Sequence, residues 1–286
     1  MPSLKQIKRR ITGITSTRQI TRAMKMVAAA TLRRAQENME RARPYSWKLR
    51  EVIASLSAHS GADRHPLLMV HPERKVGVVT VTSDRGLCGS FNVNIARRTQ
   101  QVLKDFSHLE VDLFTVGRKG HDFFRKRDVP INRYFPGVFQ ELEFSQAAAI
   151  GETIIDLYQA GGLDRLYLVY NEFKNPVQQR LVCEQLLPIE PQLEMTASWS
   201  PVDYIYEPDS ADVLNRLLPM HVNMQLWRVL LESFAAEQGA RMTAMENATE
   251  NATELIDDLT LQYNKARQAV ITKEILEIVG GAEGLK

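Results

Sequence analysis

The chain has 286 residues, of which 44% are hydrophobic and 24% charged, and its net charge is +2. These values are ordinary for a globular protein, and the lack of a run of about 18 apolar residues excludes a membrane-spanning helix. Cys88 and Cys183 are the only cysteines, which fits a reducing compartment and excludes a disulfide framework. The basic start lacks the apolar stretch of a signal peptide, so we expect no secretory leader.

Charge is distributed unevenly along the chain. Residues 1–60 contain 13 Lys and Arg against 3 Asp and Glu, whereas residues 211–286 contain 7 basic and 11 acidic side chains. Opposite signs favour pairing of the two ends, but only modestly, because each exposed ion pair contributes little. The basic excess also suits an acidic protein surface or a nucleic acid.

The first stretch, residues 3 to about 58, has the pattern of one very long helix. Ser3 and Gln6 have capping-box spacing, in which each side chain binds the other residue's backbone N–H. Pro44 should kink the helix without ending it. Apolar residues recur at coiled-coil spacing, which predicts one seam at Leu4, Ile7, Ile11 and Ile14 and a second at Ile20, Ala23, Val27 and Ala30, continued by Ala35, Met39 and Ala42.

The middle of the chain alternates strand and helix patterns. A β-branched run at residues 75–82 is typical of a buried parallel strand. The later elements are predicted as strands at 111–116, 166–170 and 180–187 and helices at 92–106, 118–127 and 145–159, with Ser145 as the cap of the last helix. This order predicts a Rossmann-like α/β domain, whose parallel sheet gains an antiparallel hairpin around residues 174–176.

The last stretch, residues 210 to about 279, predicts a second very long helix that starts at Ser210 and ends at Gly280-Gly281. Its expected seam is Met245, Ala248, Ala252, Leu255, Leu259, Gln262, Ala266, Ala269, Lys273 and Leu276. The two terminal helices most simply run antiparallel and form a coiled coil. The expected division is therefore 1–58 for the first helix, 59–209 for the central α/β domain and 210–286 for the last helix.

No catalytic constellation is visible in the sequence. The loop at residues 83–90 (SDRGLCGS) lies where an α/β sheet can hold a phosphate, but it lacks the Gly-x-Gly-x-x-Gly and Gly-Lys-Ser/Thr patterns. Gly86 and Gly89 more simply permit a sharp turn. Cys88 has no histidine nearby in sequence, and the histidines lack metal-ligand spacing. We therefore expect no active site, cofactor or metal.

Three stretches together resemble the γ subunits of F-type ATP synthases. They are 7–11 (IKRRI) running into 20–30 (ITRAMKMVAAA), then 83–92 (SDRGLCGSFN), and finally 263–282 (YNKARQAVITKEILEIVGGA). Arg241-Met242 with Ala244-Met245 adds a shorter match. The likeness covers essentially the full chain in the family's order, and its first and third motifs are highly specific.

The resemblance implies a rotor shaft. In the family, the paired terminal helices lie inside a ring of alternating α and β subunits, while the α/β domain contacts the ε subunit and the membrane-embedded c-ring. One copy per complex couples ion-driven rotation of the c-ring to conformational change at the catalytic β subunits. The chain itself would have no activity and no cofactor, and it would bind no nucleic acid. It would be bacterial and peripheral, on the cytoplasmic side of the cell membrane.

The resemblance also implies two groups of site residues. Contacts with β and α subunits fall on Arg9, Arg10, Arg22, Met24 and Lys25 of the first helix and on Arg241, Arg267, Gln268, Thr272, Glu274 and Glu277 of the second. The tip of the shaft, which would turn in an apolar collar, comprises Val270, Ile271, Ile275, Ile278 and Val279.

Two other functions remain open from the residues alone. A nucleotide-dependent enzyme would use the α/β domain and would bind its ligand as an isolated chain. A basic coiled-coil scaffold for nucleic acid would show steeply salt-dependent binding, although the aromatic residues typical of such surfaces are absent from the basic helix.

Overall fold

The computed structural model describes residues 3–59, 65–190 and 209–283. Within these ranges the helices are α1 (Leu4–His59), α2 (Phe91–Asp105), α3 (Arg118–Arg125), α4 (Phe144–Gln159) and α5 (Ser210–Glu283). The strands are β1 (Lys75–Val81), β2 (Glu110–Val116), β3 (Arg133–Phe135), β4 (Arg165–Phe173) and β5 (Gln179–Leu187). Contacts divide the chain into two units, the first of Met1–Ala28 with Met242–Lys286 and the second of Ala29–Arg241.

The start of α1 confirms the predicted capping box. The backbone N–H of Ser3 donates to Oε1 of Gln6 at 3.0 Å, and the N–H of Gln6 donates to Oγ of Ser3 at 3.3 Å. Two of the N–H groups that a helix start leaves without partners are satisfied in this way. As predicted, the helix continues past Pro44.

In the first unit, α1 and α5 run antiparallel, because Thr21 contacts Thr249 while Lys25, one turn later, contacts the earlier Glu246. The less exposed side chains alternate at spacings of 3 and 4 on both helices, as in a coiled coil. On α1 they are Leu4, Ile7, Ile11, Ile14, Arg18, Thr21, Lys25 and Ala28, and on α5 Met245, Thr249, Ala252, Ile256, Leu259, Tyr263 and Ala266.

The predicted second seam on α1 was wrong at Ile20, Ala23, Val27 and Ala30, whereas its continuation at Ala35 and Met39 is buried or half-buried. Ile20 and Val27 are 60% and 66% exposed, whereas Ala28 is buried. An unbroken 3-4 spacing from Ile14 leads through polar positions, not through Ile20. A continuous helix cannot move its seam to another face within six residues without changing its period, so polar side chains occupy the interface there.

The constant period of a continuous helix also shows which residues of the predicted α5 seam were wrong. Leu255 is 51% exposed, and Ile256 takes its place. Tyr263 likewise replaces the predicted Gln262. Ala269, Lys273 and Leu276, also predicted for the seam, are exposed.

In the second unit, the five strands of the sheet have the order β3-β2-β1-β4-β5. All neighbours pair in parallel except β4 and β5, which form the predicted antiparallel hairpin. The Rossmann-like prediction is therefore confirmed, since this order is that of a doubly wound sheet. The short β3 was missed, because three residues carry too little alternation to detect.

Both faces of the sheet are buried, which explains the continuous apolar run of β1. Val79 and Val81 face a core shared with α4 and with parts of α1 and α5. Val76 and Val78 face the opposite core, which α2 and α3 cover. Side chains alternate between faces along a strand, so a strand with helices on both sides needs apolar residues at every position.

Three predicted helix ends were displaced. The N–H of Asp212 donates to Oδ1 of Asp209 at 2.8 Å, so Asp209 caps α5 in place of Ser210. Helix α4 begins at Phe144, before the predicted cap Ser145. Helix α5 also continues through the two glycines to Glu283.

Alkaline unfolding should depend on Tyr158. This side chain is 2% exposed, its hydroxyl donates to the carbonyl oxygen of Met69 at 3.0 Å, and burial raises its pKa to about 12. In the unfolded chain the tyrosine pKa is about 10. The unfolded state therefore loses this proton first, and the free energy of unfolding should fall by about 2–3 kcal/mol as the pH rises from about 10 to about 12.

Urea midpoints measured across this pH range test the expectation. Tyr158→Phe should remove this part of the decline, whereas Tyr45→Phe, at an exposed tyrosine, should retain it. Parallel curves for wild type and Tyr158→Phe would show that the phenol is not responsible.

Candidate protein-binding surface

The seam of the first unit has a polar centre. The hydroxyl groups of Thr21 and Thr249 share a hydrogen bond of 2.8 Å, and the ammonium of Lys25 pairs with the carboxylate of Glu246. The Lys25 and Glu246 side chains remain 37% and 41% exposed. Because such pairs contribute only about 0–1 kcal/mol, Lys25 can exchange its partner for another carboxylate at little cost.

The other predicted contact residues of α1 lie mainly on its outer surface. Arg9, Arg10 and Arg22 are exposed, and Met24 is half-buried. Among the described residues, none of these three arginines forms an ion pair. Guanidinium groups bind carboxylates in a fixed two-point geometry, so this surface is suited to acidic side chains of another chain.

The two helices of the first unit carry opposite charges. Residues 1–28 contain seven Lys and Arg and no acidic side chain, while residues 242–262 contain five Asp and Glu and no Lys or Arg. On α5 the carboxylates of Glu250, Glu254, Asp257 and Asp258 are exposed. A partner approaching α1 therefore meets positive charge, and one approaching α5 meets negative charge.

Helix α5 continues beyond the start of α1. The antiparallel alignment of Thr21 with Thr249 places Leu4 level with Ala266, so no residue of α1 within the described chain lies level with the turns that follow. Every described side chain from Arg267 onward is exposed, and these include the predicted contacts Gln268, Thr272 and Glu274. The side chains of Glu277 and Val279 lie outside the described residues.

This last part of α5 also exposes apolar side chains. Val270, Ile271, Ile275 and Ile278 are 42%, 44%, 55% and 72% exposed. They lie on more than one face of the helix, since residues 270 and 271 are about 100° apart. Several exposed apolar side chains within a few turns are typical of a site of protein or membrane contact.

In the second unit, Arg241 lies inside the protein. It is 9% exposed, and its guanidinium donates to the carbonyl oxygen of Gly86 at 3.3 Å and to Oε1 of Glu237 at 2.5 Å. Burial raises the pKa of Glu237, while Arg241 acts to lower it. Arg241 thus fixes the loop at residues 83–90 against α5.

Several polar groups of the loop at residues 83–90 are paired within the second unit, although Oδ2 of Asp84 is buried without a partner among the described residues. The N–H of Ser83 donates to Oδ1 of Asn92 at 3.0 Å, and the amide of Asn92 donates back to Oγ of Ser83 at 2.8 Å. At the start of α3, the N–H of Arg118 donates to Oδ1 of Asp84 at 3.0 Å. This carboxylate therefore lies at the start of α3, and not at the start of α2, where a phosphate held by the loop would bind.

The turn and the cysteine of this loop differ from a catalytic arrangement. Leu87 and Gly89 have φ of 63° and 58°, so the sharp turn falls on these two residues and not on Gly86. Cys88 is 2% exposed, and burial raises its pKa. A thiol held in its protonated form is a poor nucleophile.

The described ranges contain no group of three or more His, Cys, Asp or Glu side chains that could hold a metal ion. Their helices also include none with a stretch apolar and long enough to cross a membrane.

Two features of this surface were missed from the sequence. Glu246 was not predicted as the partner of Lys25, although unbroken 3-4 spacing from Ile14 would have placed Lys25 in the seam. The exposed apolar face at Ile20 and Val27 was also missed, because those residues were assigned to the interface.

These observations define a class of protein: a subunit with a coiled coil and an α/β domain, whose helices expose charged and apolar side chains suited to contacts with other proteins. A family model described as ATP synthase matches residues 3–285. The ATP synthase gamma chain of Chlorobaculum parvum is 52% identical over 292 residues, and that of Anaeromyxobacter sp. is 50% identical over 291 residues; both alignments cover 100% of this chain and of the relative.

Solved structures agree in fold. A chain of the central stalk and c-ring structure of the Tetrahymena thermophila mitochondrial ATP synthase has 28% identity and a TM-score of 0.61, covering 80% of this chain and 99% of that one. A chain of the Euglena gracilis mitochondrial ATP synthase has 21% identity and a TM-score of 0.69, covering 99% of this chain and 94% of that one, which shows the fold alone.

The chain belongs to the family of ATP synthase γ chains. It is a non-catalytic subunit of the rotary ATP synthase and forms the central rotor shaft.

Proposed function

We propose that the shaft transmits rotation to the catalytic β subunits, and to their α neighbours, through the exposed polar side chains of its first unit. The proposed contacts are Arg9, Arg10, Arg22, Met24, Lys25, Arg267, Gln268, Thr272, Glu274 and Glu277. A partner can shift a conformational equilibrium only through contacts that differ between the conformers. The coupling energy is therefore the difference in these contacts between β conformers.

The observation that carries this proposal is the part of α5 beyond Ala266. No residue of α1 in the described chain lies level with it, and its described side chains are exposed, apolar ones included. Exposed apolar surface of this kind is typical of a binding site, and in a shaft the partner that covers it would be a surrounding protein. We propose that Val270, Ile271, Ile275, Ile278 and Val279 turn within an apolar collar, where non-directional contacts resist rotation weakly.

The opposite charges of α1 and α5 support the rotary part of the proposal. Three equivalent β subunits arranged around this pair of helices would face different proportions of positive and negative charge. Turning the pair exchanges these environments among the sites in sequence. Exposed ion pairs are individually weak, which suits contacts that must form and break in every turn.

Arg241 takes a different role in this proposal from that of the exposed arginines. Because it is buried against Gly86 and Glu237, we propose that it acts as a positioning residue. It holds Arg85 and Leu87, which are exposed on the same loop, where a β subunit could contact them.

The remaining partners are proposed from the family. The α/β domain, residues 59–209 in the three-part division 1–58, 59–209 and 210–286, would contact the ε subunit and the c-ring. One copy would serve each complex, with no cofactor of its own. The gamma-chain relatives named above are bacterial, which supports a place on the cytoplasmic side of the cell membrane, held there through the complex.

Co-expression with α and β subunits tests this function. We expect a complex that contains three α, three β and one copy of this chain, detected by native mass spectrometry. A chain ending at residue 266 is the matched variant, and it should assemble less stably because the tip is missing. Failure of the full chain to join α and β would contradict the proposal.

A further inference from the structure

A cleft of about 370 Å³ lies in the second unit between α2 and the β4–β5 hairpin. Its lining includes Asn94, Arg97, Arg98 and Gln101 from α2 and Gln179 and Leu181 from β5. None of these residues belongs to the surfaces proposed above. The cleft is large enough for a few amino-acid side chains.

The cleft is positively charged. Arg97 and Arg98 are exposed, and neither has an acidic partner within ion-pair distance among the described residues. Helix α2 contains no acidic residue before Asp105, at its last position. Two guanidinium groups that form no ion pair favour an anionic occupant, although the carboxylate of Asp105 lies nearby, bound to Gln101.

The amide side chains indicate which kind of anion fits. The amide nitrogen of Gln101 donates to Oδ1 of Asp105 at 2.8 Å, and that of Gln179 donates to the carbonyl oxygen of Pro176 at 3.2 Å. No described group donates a hydrogen bond to their amide oxygens, which can only accept, so these oxygens are available to N–H donors of an occupant. The ionised oxygens of a phosphate only accept hydrogen bonds, so they cannot pair with these amide oxygens. A peptide backbone has N–H groups that can donate to them.

We propose that this cleft binds an acidic peptide segment of a partner protein. Arg97 and Arg98 bind its carboxylates, the oxygens of Gln101 and Gln179 accept its backbone N–H groups, and Leu181 contacts the aliphatic part of its side chains. This binding is separate from the coupling surface of the first unit and does not depend on it.

Cys183 provides a local reporter. It follows Leu181 by two residues on β5 and shares its face of the sheet, where both join the same core. Burial raises the pKa of its thiol, while Arg98 acts to lower it. Cys88, the other cysteine, is 2% exposed, so labelling of the folded full chain by a thiol reagent reports mainly on Cys183.

The test uses the full chain and a hexaglutamate peptide at an ionic strength of about 0.05 M, where exposed charges are weakly screened. We expect saturating peptide to slow labelling of Cys183 at least about fivefold, since labelling depends on access to the thiol. Peptide bound to the basic residues of α1 would not give this protection.

Variants locate the site. Arg97→Glu with Arg98→Glu should abolish the protection, and the milder Arg97→Gln with Arg98→Gln should weaken peptide binding about tenfold or more. Arg125→Glu with Lys126→Glu, which changes the charge equally at exposed positions outside the cleft, should retain it. Circular dichroism verifies that each variant is folded.

Three results would overturn the proposal. They are an absence of protection in the wild-type chain, protection that survives in both folded Arg97/Arg98 variants, and protection by inorganic phosphate at the same concentration of charge. The last result would show a general anion site. Gln101→Leu with Gln179→Leu should lower peptide affinity by about threefold or more, which a purely electrostatic patch would not show.

Discussion

Replacing Arg22 and Arg267 together by alanine should uncouple rotation from ATP turnover without unfolding the chain. Both side chains are exposed in the first unit, so their removal leaves no cavity. Residue 22 lies level with residue 248, which places the two arginines roughly 28 Å apart along the helices at about 1.5 Å per residue. Exposed ion pairs contribute up to about 1 kcal/mol each, so we expect the loss of two such contacts to lower the ratio of proton pumping to ATP hydrolysis about tenfold.

The measurement compares ATP-driven proton pumping with ATP hydrolysis in membrane vesicles carrying the assembled complex. Arg33→Ala with Arg34→Ala removes the same charge from exposed positions of α1 outside the proposed contacts, and it should leave the ratio near that of wild type. Unchanged pumping and ATP synthesis in the Arg22/Arg267 variant would rule out these contacts as the source of coupling.

Replacing Arg228 by methionine should destabilise the second unit by about 3 kcal/mol, the lower end of the cost of breaking a buried ion pair. Nη1 of Arg228 donates to the hydroxyl of Tyr170 at 3.0 Å and to Oε1 of Glu232 at 3.2 Å, and Nη2 donates to Glu184. Burial opposes the charge of Arg228, but these neighbours hold its pKa above its usual range. Methionine fills similar volume and leaves two carboxylates and a phenol without their cation.

Urea unfolding of the full chain, followed by tryptophan fluorescence, measures this loss. Arg180→Met is the matched control, because Arg180 pairs with Glu172 but its side chain is 64% exposed, and its removal should cost less than about 1 kcal/mol. Equal midpoints for the two variants would show that the Arg228 network does not stabilise the fold.

The elements could be predicted from the sequence because each depends on local pattern. Helices α1 and α5 have long 3-4 periodicity, and β1 has an apolar run that only a strand covered on both faces requires. The exact seam was harder. Ile20 and Val27 are apolar and were therefore assigned to the interface. The period of one continuous helix instead places Arg18, Thr21 and Lys25 in the interface of this part of α1.

The candidate site, too, could be predicted from the sequence only in part. The exposure of Arg9 and Arg22 on a helix surface follows from the amphipathic pattern of α1. The burial of Arg241 does not, because it depends on a loop that lies 155 residues earlier in the chain. The cleft at Arg97 and Arg98 also could not be predicted from the sequence, because it forms only where α2 meets the β4–β5 hairpin.

The sequence by itself determined the two long helices, the α/β order between them, the uneven charge and the resemblance to a rotor shaft, because these are properties of neighbouring residues. Only the tertiary structure decided which residues of α1 and α5 meet in the seam, which arginine is buried and where α5 continues beyond α1. These depend on contacts between segments far apart in the chain, separated by 228 residues for Thr21 and Thr249 and by 155 residues for Gly86 and Arg241. No local pattern encodes such contacts, since they are fixed by the packing of both segments at once.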